Sequence, residues 1–142
     1  MSPVEIVKAH LARIQSLEPK LNSFITVTAE EAMAAAKRAE QEIGSGHYRG
    51  PLHGIPMALK DLFHTAGIRN TSGSKIFDDF VPTSDSTVAS RLKEAGTICL
   101  GKLNLHQFAY GPTGENDEYG TARNPWNTAH VPGGSSSGSG AA

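Results

Sequence analysis

The chain has 142 residues, with 13 Lys+Arg against 14 Asp+Glu, a formal net charge of −1, 38% hydrophobic and 19% charged residues. That length suits one domain with a real core, and the composition is that of a globular protein rather than a disordered one. The near-neutral charge gives no electrostatic reason to expect nucleic acid or an anionic membrane as a partner.

A single cysteine, Cys99, cannot form an intrachain disulfide, which fits a reducing compartment. Met1-Ser2-Pro3-Val4-Glu5 shows no basic patch leading into an apolar stretch, and apolar runs fall short of a membrane span. A cytoplasmic location is the expectation. The last ten residues read GGSSSGSGAA, and the expectation is that the chain is the opening part of a longer protein.

Two helices open the chain. Ser2-Pro3-Val4-Glu5 is a capping-box pattern with proline at the first helical position, and Val4, Val7, Leu11 and Ile14 recur at helical spacing. Pro19 is expected to stop this helix. Thr28-Ala29-Glu30-Glu31 predicts a second helix, capped in the same way and ended by Gly44.

After a Gly/Pro loop from His47 to Leu52, the apolar run from Gly54 to Phe63 predicts a short strand, with Pro56 at an edge or bend. A third helix is predicted from Ser86 to Ala95, capped by Asp85 or Ser84, with Val88, Leu92 and Ala95 on one face and Gly96 at its end. Thr97-Ile98-Cys99-Leu100 reads as a buried strand, and residues Tyr110 to Pro132 as loop. Strand, helix and strand in this order predict an α/β layer architecture.

The Gly/Ser run at the end admits several readings. As a flexible linker it needs no function. Gly134-Ser135-Ser136-Ser137-Gly138 fits a G-x-S-x-G nucleophile elbow, but the order fails, because every histidine (His10, His47, His53, His64, His106 and His130) precedes it. As a phosphate loop it lacks the Lys-Ser/Thr ending.

Four ordered blocks carry a more specific reading. They are Pro51 to Phe63 (PLHGIPMALKDLF), Gly101 to Ala109 (GKLNLHQFA), Tyr119 to Trp126 (YGTARNPW) and Val131 to Ala142 (VPGGSSSGSGAA). In these blocks the sequence resembles the amidase signature family. The resemblance implies an α/β fold, an α/β/α sandwich with a mixed central sheet, of which this chain is the N-terminal part. Residues 1–46 would form a helical lead-in and 47–142 the first part of the catalytic core.

It also implies a Ser–Ser–Lys triad. The lysine maps to Lys60 and the bridging serine to Ser135, which a cis peptide bond holds in relatives. The attacking serine is expected further along, in a Thr-Asp-x-Gly-Gly-Ser-type segment that this chain does not reach. The chemistry stands on its own terms. A hydroxyl attacks an amide poorly until something takes its proton, and lysine can do so only when neutral, as burial among apolar groups favours. Met57, Ala58, Leu59, Leu62 and Phe63 would supply that setting, while Ser135, both donor and acceptor, could relay the proton.

The remaining candidates are weaker. Ser136 and Ser137 are expected to tune hydrogen bonding, and Cys99 to pack. Trp126 fits a pocket wall or the core equally. The histidines lack metal-ligand spacing, and neither a metal nor an organic cofactor is implied.

The implied activity is hydrolysis of a small-molecule carboxamide through an acyl-enzyme. The alternative within the family is the glutaminase component, the A-subunit, of a glutamyl- or aspartyl-tRNA amidotransferase, with partner subunits; a homodimer is equally compatible. Leu105-His106-Gln107-Phe108-Ala109-Tyr110 stands where that component usually has Met-Asp-Glu-Phe-Ala-Met, and Ser137 intrudes into Gly-Gly-Ser-Ser-Gly-Gly, which tilts the reading towards a stand-alone amidase. From another class, the 142 residues could serve as a non-catalytic scaffold. Alone, the polypeptide is expected to be inactive and prone to aggregate.

Overall fold

A computed structural model describes residues 1–142. Helix α1 spans Pro3–Leu21, and its first turn closes the predicted capping box: Glu5 N donates to Ser2 Oγ and Ser2 N to Glu5 Oε2. Pro19 does not stop the helix but lies inside its last turns. An exposed turn tolerates the one missing amide donor, and the end is set by Asn22, which turns left-handed (φ 49°, ψ 43°) and donates its amide to Glu18 O. The Glu18 carboxylate then accepts from Ser23 Oγ at 2.7 Å and Phe24 N at 2.6 Å, pinning the entry to strand β1 (Phe24–Val27). That strand lies between the two predicted helices, in the lead-in where no strand was expected.

Helix α2 spans Ala29–Gly44. Thr28 makes no side-chain cap; its hydroxyl donates to Cys99 O instead, while its amide donates to Leu100 O. Tertiary contact with strand β3 (Ile98–Leu103) outcompetes the local cap, and Glu30 and Glu31 still complement the helix dipole. Strand β2 covers Pro56–Lys60. Helix α3 covers Thr87–Glu94 and is capped by Ser86, not Asp85 or Ser84: Ser86 Oγ accepts from Ala89 N, whereas Asp85 Oδ1 accepts from Ala66 N at 2.7 Å. Its buried residue is Ala89, while Val88, expected to share a face with Leu92 and Ala95, is 44% exposed. Gly96 follows the helix with φ +83°, as its role as a stop requires.

The sheet order is β1-β3-β2, with β1 antiparallel and β2 parallel to the central β3, so the sheet is mixed. Pro56 opens an outer strand, where its missing donor breaks no ladder. Ala32, Ala36 and Ala39 on α2 share one core with Val7, Phe24, Ile98, Leu100 and Leu103, so the opening helices pack directly on the sheet. Residues Tyr110 to Pro132 hold no helix or strand, whereas the Gly/Ser run is no linker: it enters helix α4 (Ser137–Ala141), with Ser137, Gly138 and Ala141 buried. No helix is long and apolar enough to cross a membrane.

Candidate active site

Lys60 is the last residue of β2, in register with Leu103 of the central strand. Its ammonium reaches Ser135 Oγ at 2.6 Å, a contact between residues 75 apart in sequence. The serine is held from both sides. Gly134 N donates to Pro112 O at 2.6 Å and His106 N donates to Ser135 O at 3.0 Å. The Gly134–Ser135 peptide bond is cis. Downstream, Gly138 N donates to Asn104 O, seating the run against the end of β3. A Cβ on Gly138 would meet backbone of Ser23 and Asn104, so only glycine permits this approach.

Loss of water around Lys60 lowers its pKa from the ordinary 10.5. Its environment is only partly the apolar one expected, since Leu59 is buried but Leu62 is 37% exposed. The amine has no carboxylate partner; its side-chain hydrogen bond is the one to Ser135.

A second lysine behaves differently. Lys102, on β3, is fully buried beside Asp61 (Nζ–Oδ1 2.9 Å), and its hydrogen bonds go to Phe63 O and Asn70 Oδ1, both at 2.8 Å. The contact to Asp61 Oδ1 is an ion pair. Burial pushes the Lys102 pKa down, and the Asp61 carboxylate opposes it. Lys60, with no such counter-charge, is the amine free to become neutral.

Asn104 organises the surrounding loops. Fully buried, it donates from Nδ2 to Asn22 O and Gly120 O, both at 2.9 Å, and accepts from Leu105 N at 2.8 Å. Next to Gly120, Tyr119 donates to Asp78 at 2.6 Å, and Arg69 pairs with the same carboxylate. Burial and this acceptor push the Tyr119 phenol up to about 12, while the Tyr119 hydrogen bond holds the Asp78 carboxyl below its usual range.

A cavity of about 500 Å3, bounded by residues such as Arg38, Glu42, His53, Met57, Ala89 and Ile98, touches neither Lys60 nor Ser135. The amine–hydroxyl contact, not this cavity, is therefore the candidate reaction centre. Ser136 is exposed, whereas the Ser137 hydroxyl is buried without a partner. Trp126 is 95% exposed, neither pocket wall nor core: it sits on the Asn124–Asn127 turn, where its amide donates to Asn124 Oδ1. Cys99 is half-buried in β3, and desolvation raises its thiol pKa. Asp61, Lys102 and Asn104 had no role assigned from sequence, although they lie within two of the four blocks; a charged residue in a strand gives no sign that it points inward.

The family described as Amidase matches residues 5–142. The A-subunit of glutamyl-tRNA(Gln) amidotransferase from Geobacter metallireducens is 55% identical over 142 residues, 100% of this chain and 29% of that protein. Its counterpart in Azotobacter vinelandii is 54% identical over 141 residues, 99% of this chain and 29% of its own length. The chain thus spans less than a third of these curated relatives. Among solved structures, native peptide amidase from Stenotrophomonas maltophilia matches with a TM-score of 0.92 at 36% identity, covering 98% of this chain and 30% of that one. A bacterial aryl acylamidase of the amidase signature enzymes matches at 0.92 and 29% identity, over 99% and 30%. With the family matched over residues 5–142, nearly the whole length, this chain belongs to the amidase family.

Proposed function

We propose that the protein carrying this segment hydrolyses carboxamide C–N bonds, with Lys60 as the proton acceptor and Ser135 as the relay. An attacking serine, contributed by chain beyond these residues, passes its proton to Ser135 Oγ, which passes its own to neutral Lys60 Nζ. The serine oxygen bonds to the amide carbon. The C–N bond then breaks as the proton returns through Ser135 to the departing nitrogen, leaving an ester that water cleaves. The supporting observation is the 2.6 Å contact made by a lysine that has no counter-charge. At that distance the bond can run either way, from ammonium to hydroxyl or from hydroxyl to free amine.

A second reading is favoured by the 55% identity to the A-subunit of an amidotransferase. Here the amide would be glutamine, and the ammonia would pass to a partner protein. It shares the same proton path. The experiment is to assay the full-length protein for ammonia release from L-glutamine, propionamide and benzamide. Turnover of the simple amides supports a stand-alone amidase, and turnover of glutamine alone supports the amidotransferase component. Release from none of them overturns both. The 142-residue polypeptide by itself is expected to release no ammonia.

A further inference from the structure

The proton path leaves two buried ions unused. Asp61 and Lys102 are both fully buried, and their side-chain contacts join the turn that follows Lys60 to residues 70 and 71. That turn is closed by Phe63 N donating to Lys60 O at 3.0 Å. Lys102 Nζ then holds Phe63 O at 2.8 Å and Asn70 Oδ1 at 2.8 Å, while Asn70 Nδ2 and Ser72 N both donate to Asp61 O. Asp61 Oδ2 takes two further bonds, from Thr71 N at 2.8 Å and Thr71 Oγ1 at 2.6 Å. Asp61 N meanwhile donates to Leu103 O of the central strand. The exit of β2 is thus fastened to β3 and to residues 70–72 by the Asp61 main chain together with the two charged side chains, which add the ties to Thr71, Asn70 and Phe63 O.

Stability does not explain the pair. Two ions taken from water regain little more than their desolvation cost, and well-packed apolar replacements are often as stable. What an ion pair with directed hydrogen bonds supplies is fixed geometry. We propose that Asp61 and Lys102 are positioning residues, which lock the turn after Lys60 so that its amine meets Ser135 Oγ at bonding distance. This rests on the reading of Lys60 as the proton acceptor. A misplacement of one ångström at such a relay is enough to slow the chemical step while substrate still binds.

The test uses the full-length protein and whichever of L-glutamine, propionamide and benzamide the wild type hydrolyses. The double variant Asp61→Asn/Lys102→Met removes both charges together, so no unpaired ion is left buried. Its kcat is expected to fall on the order of tenfold to a hundredfold, with KM within about twofold of wild type. Asn70→Ser keeps the ion pair, loosens only its tie to the turn, and is expected to show the same split at smaller size. Wild-type kcat in the folded double variant, or kcat and KM moving together, overturns the proposal. Should the double variant fail to fold, Asn70→Ser decides by the same criterion. Lys60→Ala separates the two claims. Turnover surviving in that variant removes the reading of the site, whereas its loss beside an intact kcat in the double variant removes only the positioning role.

Discussion

Lys60 Nζ and Ser135 Oγ lie 2.6 Å apart, joined across 75 residues of sequence. Neither side chain reaches there by local structure alone. The lysine is delivered by the exit of a parallel edge strand, and the serine by a run clasped between Pro112 and His106. The amine is partly desolvated and has no counter-charge, so the protein favours its neutral form relative to a lysine in water.

The pH dependence follows with a definite sign. A base must be unprotonated to act, so kcat/KM should rise with pH as Lys60 loses its proton and level off below the ordinary lysine value of 10.5. The same depressed pKa means that the unfolded chain binds more protons at Lys60 than the native one in the window between the two values. The contribution of Lys60 to stability therefore increases with pH across that window. A pH–rate profile of the full-length enzyme, in which a Lys60 variant loses the limb, checks the assignment.

Gly101 is expected to resist substitution. It sits in β3 opposite Val27 with φ +149°, and a Cβ there would strike the Thr26 carbonyl oxygen. Gly101→Ala should cost at least about 1–3 kcal/mol from backbone strain alone. A lowered urea midpoint with an unchanged slope would register it; an unchanged midpoint would show that β1 and β3 can move apart freely.

Asn104→Ala removes three hydrogen bonds from a fully buried side chain and leaves Asn22 O and Gly120 O without that donor. The loss is expected to be about 1–3 kcal/mol, since the fully buried side chain gives up three hydrogen bonds while the two carbonyls, on partly exposed residues, can turn to water. Thermal unfolding measures it. Asn104→Asp, which cannot donate to the two carbonyls, should be no better than alanine.

The sequence made legible those features whose cause is local. Ser2 and Glu5 are three residues apart and cap one helix, and Pro56 marks a strand that has to lie at an edge. Lys60 and Ser135 became candidates through resemblance, not through periodicity. Features set by distant chain were hidden. Thr28 has the composition of a cap, yet it bonds to Cys99, 71 residues away, and Asp85 serves Ala66 instead of its own helix. Lys102 reads as a surface residue in any local window and becomes the largest fully buried side chain only because Asp61 arrives from the end of another strand. Strand β1 was missed because four residues between two helices carry too little pattern, and its pairing with β3 decides the matter.

The most direct test is the pre-steady-state acylation rate of the full-length enzyme with Lys60→Ala, on an amide that the wild type hydrolyses. Loss of the proton acceptor is expected to slow acylation by about 10²–10⁴-fold, with substrate binding nearly unchanged. Acylation at the wild-type rate would mean that the amine 2.6 Å from Ser135 is not the base.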